Sequence, residues 1–194
     1  MTRLPRWLLA VLTLLVCTLQ VPAQQPPPPG ASPERPLRIR DISGGKVKTP
    51  EYSVKSGQAV ARTKEWFQII TQYDTEPEWL DEVDFTYYVL VKSKDPKAPP
   101  QMLFKGDVTY LNVERGKHRS DMFLHPSTLA RFGEVQAVGV EVKIQGRVVG
   151  RESKPASNDT WWDRLPPREG LVLNRLQTPF AMLSFDDFEA IKPK

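Results

Sequence analysis

The chain has 194 residues, with 27 Lys and Arg against 23 Asp and Glu, a net charge of +4 and one cysteine. So small an excess of positive charge gives no reason to expect nucleic acid as a partner. A single cysteine excludes a disulfide framework and a thiolate metal site.

Residues 1–23 read as a cleavable signal peptide. Arg3 and Arg6 form a short positive region, Trp7–Val16 an apolar run, and Val21-Pro22-Ala23 a small-residue exit. The run is shorter than the roughly 20 apolar residues of a spanning helix, so no stable membrane span is expected after cleavage. Cys17 lies inside this segment, and Val16 before it departs from the small residue that a bacterial lipid attachment site requires. A pilin leader is absent too: there is no Gly cleavage point and no Glu within the apolar run. Cleavage would remove Arg3 and Arg6, leaving 25 basic residues against 23 acidic ones, a charge of +2. The exported chain would then be free of cysteine, which leans towards a bacterial source.

Residues 24–36, QQPPPPGASPERP, favour extended polyproline II and have almost nothing to bury, as expected of a disordered spacer. Residues 37–194 are enough for one self-sufficient domain. Arg38–Ile42 and Val47–Val54 are predicted as short outer strands, with Pro50 confining the second to an edge. Trp66–Tyr73 suits a pleated surface. Residues 82–92, EVDFTYYVLVK, alternate strictly, placing Val83, Phe85, Tyr87, Val89 and Val91 on one face. Met102–Val113 and Asp121–Leu124 are predicted strands, joined as a hairpin by a turn at Glu114-Arg115-Gly116-Lys117. Pro126–Phe132, stopped by Gly133, is predicted as one short helix. In residues 135–144, Val138, Val140, Val142 and Ile144 share a face, and Gly146 supports a hairpin into Arg147–Arg151. Val172–Leu176 and Phe180–Phe185 would close the sheet, and Phe185, Phe188 and Ile191 would share one face of a frayed terminal helix. Seven to nine strands separated by Pro and Gly predict an all-β fold: a two-sheet antiparallel, immunoglobulin-like sandwich with one short helix.

Residues able to carry chemistry are few. His118 and His125 sit seven apart with Asp121 between them, which matches no metal-ligand spacing. His118 reads as an exposed turn residue within the basic cluster Arg115–Arg119, and His125 as a strand end. There is no nucleophile elbow, P-loop or dinucleotide turn, and the acidic pairs Asp81-Glu82 and Asp186-Asp187 read as solvated charge. No catalytic, cofactor-binding or metal-binding residues are therefore assigned, and no cofactor is expected. Candidate contacts to a partner protein or a glycan are Trp79, in the loop TEPEWLDE, and the pair Trp161-Trp162, in the polar stretch SNDTWWDRLPP. The competing role for these tryptophans is to cover an open edge of the core.

The stretches EWFQIITQYDTEPEWLDEVDFTYYVLVK, VTYLNVERGKHRSDMFLHPSTLARFG and VGVEVKIQGRVV resemble a family of small exported proteins of Verrucomicrobia, the pilus-associated immunoglobulin-like proteins of the Akkermansia type. The similarity spans about residues 66–185. It implies a non-enzymatic sandwich in the periplasm or on the cell surface, tied to pilus function, and it offers no catalytic residues to carry over. Without a pilin leader, an accessory or structural role in a pilus or envelope assembly is expected rather than that of main fibre subunit, with a protein of that assembly as partner. A carbohydrate-binding module built on coplanar exposed tryptophans is one alternative. An envelope hydrolase, which would need both histidines or two facing carboxylates in one pocket, is another.

Overall fold

The computed structural model describes residues 35–50 and 63–193. The predicted signal peptide, Cys17, most of the proline-rich segment and residues 51–54 of the second outer strand lie outside them. Eight strands follow in chain order: β1 (Leu37–Lys48), β2 (Glu65–Ser93), β3 (Gln101–Leu124), β4 (Gly133–Ile144), β5 (Arg147–Lys154), β6 (Pro167–Glu169), β7 (Val172–Asn174) and β8 (Ala190–Ile191). Among the described residues one α-helix, α1 (Pro126–Phe132), joins β3 to β4. Among the described residues no helix is long and apolar enough to cross a membrane.

The sandwich is one hydrogen-bonded sheet folded onto itself. β2 and β3, 29 and 24 residues long, pair with each other along almost their whole length. The ladder breaks once, between Thr75 and Trp79 of β2, where Pro77 cannot donate a ladder hydrogen bond. On one side of that break, β1, the first part of β2, the last part of β3 and β7 form layer 1. On the other side, β5, β4, the last part of β2 and the first part of β3 form layer 2, which β6 and β8 extend. All pairings are antiparallel except that of β3 with the three-residue β6.

This arrangement revises the predicted turn at Glu114–Lys117. The chain does not reverse there. The segments on either side pair with β2 rather than with each other, so they are one strand that changes layer. The loop TEPEWLDE is likewise the layer-changing stretch of β2. Arg38–Ile42 and the start of Val47–Val54 merge into one strand, β1, because β2 offers it eleven successive partner positions. The helix and the hairpin form where expected. Pro126 opens α1 after His125 caps it, and Gln145 and Gly146, both at positive φ, supply the two-residue turn between β4 and β5.

The inner face follows the alternation. Val83, Phe85, Tyr87, Val89 and Val91 are fully buried, with Val138, Val140 and Val142 beside them. Each such side chain contributes about 1.5–3 kcal/mol on leaving water. The layers meet through specific contacts. Tyr73 of layer 1 lies 4.9 Å from Phe85 of layer 2, centroid to centroid. The hydroxyls of Tyr87 and Tyr110 in layer 2 both donate to Ser120 Oγ in layer 1, at 2.8 and 3.0 Å. Burial in that apolar interior pushes both phenols above their ordinary range.

Beyond β7 the prediction and the structure part. Phe180–Phe185 is a series of turns rather than a strand, and the terminal helix is replaced by a 3-10 turn at Phe185–Asp187 and the two-residue β8. The reason lies in what this segment covers.

Candidate interaction surfaces

The three tryptophans singled out from the sequence occupy different environments. Trp79 projects from the layer-changing stretch of β2 and is 59% exposed. Trp161 and Trp162 open a 3-10 helix, Trp161–Arg164. Trp162 is only 4% exposed. It lies flat on Tyr88, with centroids 5.3 Å apart and planes at 8°. Tyr88 belongs to the outward-facing row of β2, so Trp162 covers the back of layer 2 rather than entering the core. Gly139 on β4 makes room for it: a Cβ there would come within 2.4 Å of the indole. Trp161 is half-buried and meets Trp162 edge-on, at 82°. The pair therefore presents no coplanar stacking surface.

The histidines are separated by their roles. His125 Nδ1 accepts the Ser127 backbone N–H at 3.1 Å, capping α1, and its ring packs edge-on against Trp66. His118 is not an exposed turn residue, because there is no turn. Its side chain is 8% exposed, with Nδ1 2.9 Å from Glu189 Oε1 and Nε2 2.8 Å from the Glu114 carbonyl oxygen. No three His, Cys, Asp or Glu side chains cluster as metal ligands among the described residues. The acidic pairs are solvated charge with local partners: Glu82 with Lys192 at 2.6 Å and Asp187 with Arg119 at 3.1 Å.

Sequence reasoning missed the strap formed by residues 175–189, which runs across the outer face of layer 1 before β8 joins layer 2. Phe180 stacks on Phe123, with centroids 4.8 Å apart, and meets Trp66 edge-on. Those two side chains alternate with the inner row of their strands, so without the strap they would face water. Arg175 anchors the strap. Its Nη1 donates to Asp121 Oδ2 at 2.5 Å, and its Nη2 donates to the Leu183 carbonyl oxygen. Gln68 Nε2 donates to the same carboxylate oxygen at 3.0 Å. Asp121 is fully buried, and burial pushes its carboxyl above the ordinary range even though Arg175 and Gln68 pull it down. The Phe188 ring is clamped between the guanidinium groups of Arg175 and Arg119, at 3.7 and 4.3 Å.

The strap also exposes apolar side chains of its own. Met182 is 76% and Phe185 62% exposed, and Leu176 and Leu183 are exposed beside them. Leu176 and Phe185 border an apolar pocket of about 490 Å3 that also reaches Ile191. Four large apolar side chains are thus exposed within ten residues of one another. The sequence signal available for it is the concentration of apolar residues in TPFAMLSFDDFEAI, which the strand reading of Phe180–Phe185 and the helix reading of Phe185, Phe188 and Ile191 absorb.

Known proteins place the chain in context. A family model matches residues 30–194. No curated protein matches the chain. Among solved structures, a crystal structure of a protein from Akkermansia muciniphila is similar, with a TM-score of 0.71 at 19% identity, covering 81% of this chain and 93% of that one. At that identity the likeness is one of fold.

Proposed function

This chain belongs to the pilus-associated immunoglobulin-like family of the Akkermansia type, and from that premise we propose that it is an exported, non-enzymatic accessory of a pilus or cell-envelope assembly that works by binding other proteins. The observation that carries this reading is the strap. A segment anchored by a buried ion pair and a clamped ring holds Leu176, Met182, Leu183 and Phe185 in water. Presenting apolar side chains on a fixed backbone lowers the entropy lost on association, and Met with aromatic residues suits the centre of an interface. The partner expected is a protein of the same assembly, at the cell surface or in the periplasm.

The test is a pull-down of the tagged full chain from crosslinked source cells, with Met182→Ser plus Phe185→Ser as the comparison. Recovery of pilus or secretion components with the native chain, and their loss with the variant, is the expected outcome. No enrichment above a control bait would overturn the assignment.

A second reading has one observation in its favour. Among the described residues Trp79 is the most exposed tryptophan, with its ring open to stack on a sugar. Glycan-array binding abolished by Trp79→Ala would establish it. Binding unchanged in that variant, or no binding at all, would exclude it.

A further inference from the structure

The two halves of the strap are held differently. Residues 175–183 are fixed by the Phe180 stack and the buried Arg175–Asp121 pair. Residues 185–189 are held by charged partners: Asp187 pairs with Arg119, Phe188 sits between Arg119 and Arg175, and Glu189 pairs with His118. This second half also borders two cavities. Asp186, Phe188 and Glu189 line both the apolar pocket of about 490 Å3 beside Phe185 and a polar cleft of about 640 Å3 that reaches Tyr73 and His118. They are the wall between the two.

The hydrogen bonds of His118 define its protonation. Nδ1 faces a carboxylate oxygen of Glu189 at 2.9 Å, and Nε2 faces the Glu114 carbonyl oxygen at 2.8 Å. Both are acceptors only. The other polar neighbour of Nε2 is the Thr75 hydroxyl at 3.2 Å. That hydroxyl already donates its hydrogen to the same carbonyl at 2.6 Å, and its oxygen accepts the Gly116 N–H at 3.0 Å. Neutral imidazole carries one N–H and imidazolium two, so only the imidazolium satisfies both contacts. The surroundings favour a cation. The Tyr73 ring lies 5.3 Å away. From β1 comes Arg40, paired with Asp74 of β2. Lys117 and Arg119 stand beside Glu114 on β3, and the strap adds Asp186, Asp187 and Glu189. Counted together, these are five carboxylates against three cations.

We propose that His118 and Glu189 form a proton-operated latch on the second half of the strap, closed while the ring carries both hydrogens and released when one is lost, and that the latch sets how firmly Phe185 and its pocket are presented to a partner. Loss of one hydrogen leaves a ring nitrogen and an oxygen facing each other lone pair to lone pair, and it removes the cation from beside Glu189. The closed form thus holds a proton that the released form gives up. The latch therefore tightens in acid and loosens as pH rises. Histidine is the side chain that changes charge between about pH 5 and 8, so this is the range in which release is expected. Once free, residues 186–189 no longer separate the two cavities, and the apolar pocket opens onto the polar cleft. A partner that packs on Phe185 then meets a mobile surface and loses more entropy on binding.

The role in partner binding rests on the protein-binding reading above; the latch itself does not, and it is tested on the free chain. Hydrogen–deuterium exchange of the full chain is followed at about pH 5.5 and about pH 8, either side of the ordinary histidine value, and corrected for intrinsic exchange. The reporters are the amides of Asp187 and Lys192, bonded to the Ser184 and Thr109 carbonyls, with Val83–Val91 as internal reference. Their protection should fall on the order of tenfold from the lower pH to the higher, the loss expected for a hydrogen bond between charged groups. Glu189→Gln, at a partly exposed position, and His118→Gln should each show the lower protection at both pH values. Asp121 is the rival operator, because burial holds its carboxyl above the ordinary range under the first half of the strap. A pH response that persists in Glu189→Gln would assign the effect to Asp121 and overturn the latch, as would equal protection at both pH values in the native chain. No partner is present in this measurement, so its failure leaves the protein-binding reading standing, and failure to capture a partner leaves the latch standing. Where crosslinking captures a partner, recovery should be greater at the lower pH with the native chain and independent of pH with Glu189→Gln. Equal recovery by the native chain at both would overturn the role of the latch in binding.

Discussion

At the scale of single residues, the Arg175–Asp121 pair joins elements 54 positions apart in a place almost without water. A buried pair of this kind adds little net stability over an apolar substitute, but removing one partner is severe. Arg175→Met leaves the Asp121 carboxylate without its cation and should cost roughly 3–5 kcal/mol at about pH 7. The pH dependence has a defined sign. Burial already holds the Asp121 carboxyl above its ordinary range in the folded protein, so the native state binds this proton more tightly than the unfolded chain. Its contribution to stability is therefore greatest below the unfolded value and declines as pH rises through the folded one. In Arg175→Met that folded value climbs further, and a protonated carboxyl no longer needs a cation. Urea denaturation at about pH 4 should accordingly show a much smaller loss than at about pH 7. An equal loss at both would mean that Arg175 acts through packing alone. Glu141 has the opposite sign. Burial pushes it up, but hydrogen bonds from Arg151 and Lys143 outweigh burial and hold it low. Its share of stability is present above the ordinary carboxylate value and is lost as pH falls.

At the scale of elements, the back of layer 2 depends on a glycine. Gly139 lets the indole of Trp162 lie on β4 and stack on Tyr88. Gly139→Ala inserts a methyl group 2.4 Å from the ring, so the 3-10 helix must lift. We expect a loss of about 1–3 kcal/mol, as for other overpacked sites, together with a red-shifted tryptophan emission. Emission identical to that of the native protein would show that the ring is not held there. The elements best read from sequence were those whose pattern is local. The alternation of Val83 to Val91, the Pro126-to-Gly133 bracket of α1 and the Gln145-Gly146 turn each carry their cause within a few residues. The layer change and the strap do not. Alternation shows which way a side chain points but not which strand it pairs with, so a bent strand and a hairpin look alike around Arg115-Gly116. The strap is fixed by Phe180 on Phe123 and Arg175 on Asp121, partners that no periodicity connects. Trp162 fell between the alternatives weighed for it: it covers the sheet, yet on the outer face.

At the scale of the whole molecule, β2 and β3 belong to both layers, so neither layer can be dismantled without unpairing strands that build the other. The described sandwich should therefore unfold in one step. Far-UV circular dichroism, which reports the ladder, and near-UV signals from the interlayer cluster of Tyr73, Phe85 and Tyr87 should share one denaturant midpoint. Separated midpoints would mean that the layers are independent units.

The same two strands bear on how the protein would respond to being pulled, a condition that the proposed role in a pilus assembly would impose. In a sandwich made of two separate sheets, tension applied to one sheet reaches the other through interlayer side chains and the loops that connect the sheets. Here the covalent backbone of β2 and β3 runs through the bend like a pair of straps sewn into both panels, and a load on either layer is carried along peptide bonds into the other.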